Sequence, residues 1–223
     1  MRNKQSGFTL VEIAIVLVII GLLLGGVLKG QELINSAKIK NLVNDMNGIS
    51  TAVYAYQDRF KALPGDDATA ATRWVGSTTA GDATATLEGA FNAATAATEP
   101  ESRLFWQHLR LAGFIAGDTN ANQPTNAVGG ITGAQWGAGN QTVAALTQGL
   151  AGLVVCHTNI LGRVAESLDN QLDDGRPNSG AVRSWTQALG VVVITNVVAA
   201  GPSPAASYVD DGNTMYTVCK KIT

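Results

Sequence analysis

Residues 8–28 form a run of 21 positions in which the only charged side chain is Glu12, set among leucine, isoleucine and valine. At about 1.5 Å of rise per residue, such a run makes roughly 30 Å of helix, the depth of a bilayer's hydrocarbon. The sequence therefore predicts a membrane-spanning α-helix at the N-terminus. A secretory signal would close with a small-residue cleavage site, but residues 25–31 carry no A-x-A pattern and the helical sequence runs on, so the segment reads as retained. Charge bias does not orient it, because Arg2 and Lys4 on one side face Lys29, Lys38 and Lys40 on the other. A carboxylate within hydrocarbon costs about 3 kcal/mol or more, which marks Glu12 as a functional residue.

Beyond the apolar run, Ile39, Leu42, Met46, Ile49, Val53, Tyr56 and Phe60 recur at alternating spacings of 3 and 4, one stripe of a continuing helix. Pro64-Gly65 should end it, which predicts a single rod over residues 8–61, roughly 80 Å long, whose second half packs under the chain's own head. Gly21, Gly25, Gly26 and Gly30 interrupt the good helix formers and either permit close helix packing or let the segment unwind. In the head, residues 65–98 are rich in Ala, Thr and Gly and read as a long surface loop. Thr98-Glu99-Pro100-Glu101 has the pattern of a capping box opening a helix that runs to Ala112 and stops at Gly113. A second head helix fits residues 161–172, and strands fit residues 150–157, 181–185, 191–198 and 214–219. Hairpin-type connections suit these strands, so the expected fold class is α+β: a long N-terminal helix packed on a globular head, residues 62–223, with an antiparallel sheet.

The stretch Lys4-Gln5-Ser6-Gly7-Phe8-Thr9-Leu10-Val11-Glu12 resembles the cleavage and methylation site of the type IV pilin family, which includes the pseudopilins of type II secretion. The resemblance implies that a prepilin peptidase cuts between Gly7 and Phe8, removing the leader 1–7, and methylates the new amine of Phe8. It implies that Glu12 acts with Phe8 in assembly, and that the partners are copies of the chain in a helical filament and an inner-membrane assembly platform. The precursor would be a single-pass inner-membrane protein with a periplasmic head. The working form would be an extracellular pilus or a periplasmic filament. Many family members carry a proline at the position of Lys29; this chain has none before Pro64, so no kink is expected there. Residues 105–115 resemble, less specifically, the heads of unclassified pilin-like proteins.

Lys and Arg number 15 against 17 Asp and Glu, a formal charge of −2, and residues 62–223 hold 8 basic and 13 acidic groups. An acidic head without a basic patch gives no support to nucleic acid as a partner. Charged residues make up only 14%, against about 25% in ordinary soluble domains, as suits a chain buried in lipid or against its own copies. G-x-S-x-G, G-K-[ST] and H-E-x-x-H are all absent, and adjacent Cys156 and His157 on a strand would face opposite ways, so no enzyme is expected. His108 falls on the inner side of its helix and reads as a satisfied packing residue. A disulfide between Cys156 and Cys219 is expected, since both lie at strand ends in a part that should face an oxidising compartment and C-terminal disulfides are common in the family. Major pseudopilins hold calcium near their C-termini, which makes Asp173, Asp174 and Asn178 weak metal candidates. An EF-hand alignment on Gly175 places Leu172 at a ligand position and fails. That turn and Asp118-Thr119-Asn120-Ala121-Asn122 are both expected to be hydrogen-bonded turns, with no cofactor. The expected function is structural, a pilus subunit for attachment or motility; a secretion pseudopilin and a non-polymerising membrane-anchored binding domain are the alternatives.

Overall fold

The computed structural model describes residues 9–76, 78–137, 150–187 and 205–222. The chain divides into two compact units, Met1–Lys38 and Ile39–Thr223. Helix α1, Leu10–Phe60, supplies the described part of the first unit and opens the second. In the first unit residues 9–29 are all exposed, Leu10 at 91% and Leu22 at 73% among them, and the segment is long and apolar enough to cross a membrane. A helix apolar all round needs lipid or other helices around it.

In the second unit the stripe of α1 is buried as its spacing requires: Leu42, Met46, Ile49, Val53 and Tyr56 face inward, joined by Ala52, while Ile39 and Phe60 pack at the ends. Lys61 ends the helix in the left-handed region (φ 55°), its N–H still bonded to the Gln57 carbonyl at 2.9 Å. A four-stranded sheet follows, built from β1 (Thr132–Gly137), β2 (Gly152–Leu161), β3 (Val182–Gln187) and β4 (Met215–Lys221), in the order β1-β2-β4-β3 with every neighbour antiparallel. The fold class is thus α+β, as expected. One sheet face packs on helices: Ala134, Leu153 and Val155 meet α1 and α3 (Glu101–Leu111), while Ile160, Val182, Tyr216 and Val218 meet α1 and α4 (Gly162–Leu172). The other carries Phe91, Leu150, Val154, Cys156, Trp185 and Cys219. A bulge between His157 and Ile160, with Asn159 at φ 61°, puts the even-numbered Ile160 on the same face as Leu153 and Val155.

Three expectations need correction. Strand β1, Thr-Gly-Ala-Gln-Trp-Gly, was not anticipated, because it has no β-branched run. Its place is set by β2 alongside and by the close approach of Gly133, where an added Cβ would lie 2.0 Å from the Phe91 carbonyl oxygen. Helix α3 starts at Glu101 with Pro100 as its N-cap and no side-chain cap, so Thr98 is not the capping residue. Its end is the expected one: Gly113 (φ 78°) closes a Schellman motif, with Phe114 N–H on the Leu109 carbonyl and Gly113 N–H on that of Arg110, both at 3.0 Å. Residues 65–98 contain the short helix α2 (Ala70–Arg73) and bury Asp66, Asp67, Leu87 and Phe91, more than a surface loop would. The strand expected at 191–198 lies outside the described residues.

Candidate functional site: the start of the N-terminal helix

Thr9 and Glu12 build the start of α1. The Thr9 Oγ accepts the Glu12 N–H at 3.3 Å, while one Glu12 carboxylate oxygen accepts both the Thr9 N–H and the Thr9 hydroxyl at 2.8 Å. This reciprocal arrangement is a capping box, which satisfies amide hydrogens that the first turn of a helix otherwise leaves unpaired. Glu12 therefore has a partner within its own chain, and the first turn gains an acid at the positive end of the helix dipole. The sequence reading singled out Glu12 and missed Thr9, although Thr9-Leu10-Val11-Glu12 fits the pattern S/T-x-x-E. Gly7 and Phe8 lie outside the described residues. Gly21, Gly25, Gly26 and Gly30 sit within the helix with open space where a Cβ would be.

The other sequence candidates lie in the second unit. Cys156 and Cys219 are joined by a disulfide; they are register partners on β2 and β4, with Cα atoms 4.0 Å apart, and both are buried. In the turn after α4, the Asp173 carboxylate accepts the N–H groups of Ala181 and Val182, and that of Asp174 accepts the Arg176 N–H and the Ser179 hydroxyl. Asn178 is exposed, and the residue brought to within 4.8 Å of Asp173 and Asp174 is Asp169, which also accepts the Tyr208 hydroxyl at 2.6 Å. At the other turn Asn120 takes a hydrogen bond from Arg110 through its carbonyl at 2.7 Å, and its side chain accepts the Asn122 N–H at 3.0 Å.

Buried polar groups missed by sequence reasoning pin the loop after α1. Asp67, 1% exposed, accepts the Tyr56 hydroxyl at 2.7 Å and pairs with Arg73 at 2.6 Å. Burial pushes its carboxyl up, but the hydrogen bonds from Arg73, Tyr56 and Thr69 outweigh this and hold it at about 2. Glu101, freed from capping its own helix, accepts the N–H groups of Asp82 (3.1 Å) and Glu88 (2.9 Å), with Asp66 and Asp82 beside it. Burial raises it to about 7. His108 is fully buried and satisfied: Nδ1 accepts the Gly65 N–H at 3.0 Å, and Nε2 lies 3.2 Å from the Thr79 carbonyl.

Residues 2–28 match the family model described as the prokaryotic N-terminal methylation motif. No curated protein matches the chain. Among solved structures, the major type IV pilin PilA1 from Clostridium difficile is similar at 10% identity and a TM-score of 0.34, over 83% of this chain and 96% of that one. So distant a likeness adds nothing to the fold described above. The matched motif spans the apolar run, Glu12 and the expected cleavage point together, so what the comparisons show is an N-terminal segment similar to the prokaryotic methylation motif.

Proposed function

We propose that this chain is the precursor of a helical filament subunit of the type IV pilin kind, made as a single-pass inner-membrane protein with its head in the periplasm. In this reading prepilin peptidase cuts between Gly7 and Phe8 and methylates Phe8. An inner-membrane platform then passes the chain into an extracellular pilus that serves attachment or motility. No cofactor is assigned. The observation that supports it is the methylation motif heading a helix whose apolar surface is exposed all round. Moving such a helix from lipid to a bundle of identical helices exchanges one apolar surrounding for another, so the hydrophobic effect neither drives nor orders that step. A polar contact must set the register. Glu12 is the only charged side chain in residues 8–28, and the amine of Phe8 on a neighbouring copy is its natural opposite charge.

Two substitutions test this. Glu12→Ala removes both the cap and the charge, and Glu12→Gln keeps an acceptor for the Thr9 N–H without the charge. Filament yield from cells should fall at least tenfold for both, with the melting temperature of the head unchanged, because Glu12 lies in the other unit. Wild-type yield for Glu12→Gln would reduce the residue to a cap and defeat the pairing.

A further inference from the structure

We infer that His157 latches the head-packed part of α1 to the sheet, and that taking up a proton on its ring opens that contact. His157 lies on β2, is wholly buried, and shares the sheet face of Leu153 and Val155 that meets α1. Its Nδ1 is 2.9 Å from the Thr132 hydroxyl, the register partner on β1. Its Nε2 faces the backbone of Leu42 on α1 but makes no hydrogen bond of ordinary geometry. A neutral ring fits this site: Thr132 donates to Nδ1, and the Nε2–H lies against a peptide carbonyl. A charged ring does not. With two N–H donors it would require Thr132 to turn from donor to acceptor, and its charge would sit in the apolar seam beside Leu42.

No counter-charge among the described residues relieves that seam. From α1 the contact is the Leu42 backbone, and the nearest ionisable side chains along that helix, Lys38, Lys40 and Asp45, are intermediate or exposed and add nothing to its electrostatics. From β1 comes the Thr132 hydroxyl, and from β4 the register partner is Val218. Burial accordingly lowers the ring to about 4, against an ordinary 6.5. The folded value is depressed below the unfolded one for a base, so the neutral ring stabilises the fold above pH 6.5 and that stabilisation is lost as pH falls toward 4. Relief comes from water entering between Leu42 and β2, which means lifting α1 from the sheet. Since α1 is the element by which the head is joined to the apolar segment, acid would loosen the head at that joint while the disulfide keeps β2 and β4 together.

The test is hydrogen exchange by mass spectrometry on the full chain in detergent micelles at pH 6.5 and 4.5, corrected for the intrinsic pH dependence of exchange. Peptides covering residues 39–49 of the wild type, the part of α1 around Leu42 and clear of the Tyr56–His108 stack, should lose protection by about 40-fold between the two conditions, the factor that a ring value moved from 6.5 to 4 implies. His157→Gln, neutral at both, should lose none, while His108→Gln should behave as wild type over these residues. Equal loss in wild type and His157→Gln, or no loss in either, would overturn the latch. Should His157→Gln not fold, the wild-type ring is followed directly by NMR: a midpoint below 5 supports the inference, and one near 6.5 with α1 still protected refutes it.

Discussion

Removing the Cys156–Cys219 bridge tests how the two central strands of the head are held. The cysteines are 63 residues apart in sequence, and everything between them, α4 and β3 included, lies within the ring they close. In the chain-entropy account a loop of that length costs the unfolded state about 4 kcal/mol at 25 °C. That is a large share of a net stability of roughly 5 to 15 kcal/mol. For a unit the size of Ile39–Thr223, the entropy of unfolding converts this into a melting shift of about 10 °C. Both sulfurs are buried beside Phe91, Val154 and Trp185, so Cys156→Ala with Cys219→Ala adds a small cavity cost, on the order of 1 kcal/mol. Thermal unfolding followed by circular dichroism, on wild type with and without reductant and on the double variant, separates the contributions. Reduction alone should lower the midpoint by about 10 °C, and the variant by slightly more. A shift below about 3 °C on complete reduction would show that the loop-entropy reasoning fails for this bridge.

Other perturbations probe the loop after α1. Asp67→Asn leaves the Arg73 guanidinium facing a neutral amide and should cost about 2 to 3 kcal/mol in urea unfolding, since Arg73 is partly solvated. The wild-type contribution of Asp67 holds above pH 4 and is lost as pH falls toward 2, because its folded value of about 2 lies below the ordinary 3.8. Glu101 acts in the opposite sense: held at about 7 in the fold against 4.5 ordinarily, it makes the head less stable as pH rises from about 4.5 to 7, and Glu101→Gln should remove that loss, so that the melting temperature of the variant gains on the wild type as pH rises over that range. Gly65→Ala meets two obstacles, φ of +95° and a Cβ 2.4 Å from Leu87 Cδ1 and 2.5 Å from the Glu101 carbonyl oxygen. It should destabilise the head by about 3 kcal/mol by the same measurement.

What could be read in advance was whatever local pattern decides. The 3-4 spacing along α1 fixed its buried face, the stop at Gly113 followed from the glycine itself, and α4 and the apolar strands β2 and β4 announced themselves by composition. What escaped depends on groups distant in sequence. Glu101 looked like a capping residue because its neighbours fit the pattern, yet its carboxylate is taken by amides 13 and 19 residues away. Strand β1 has no strand-like composition and exists through its partner β2. Asp66 and Asp67 sit in a stretch whose Ala, Thr and Gly content suggests solvent, and only the fold shows Tyr56 and Arg73 closing over Asp67. At the N-terminus the reverse holds: the Thr9–Glu12 box is fully local, and the S/T-x-x-E pattern of residues 9–12 is enough to signal it.

The central claim is that the chain matures by cleavage before Phe8 and works as an assembled filament. Its most direct test is the intact mass of the chain recovered from filaments sheared off cells that express it. The account predicts a subunit that begins at Phe8, carries one added methyl group on its amine and retains the Cys156–Cys219 bridge. Filaments built from a chain still beginning at Met1, or filaments that lack the chain while it stays in the membrane fraction, would contradict it.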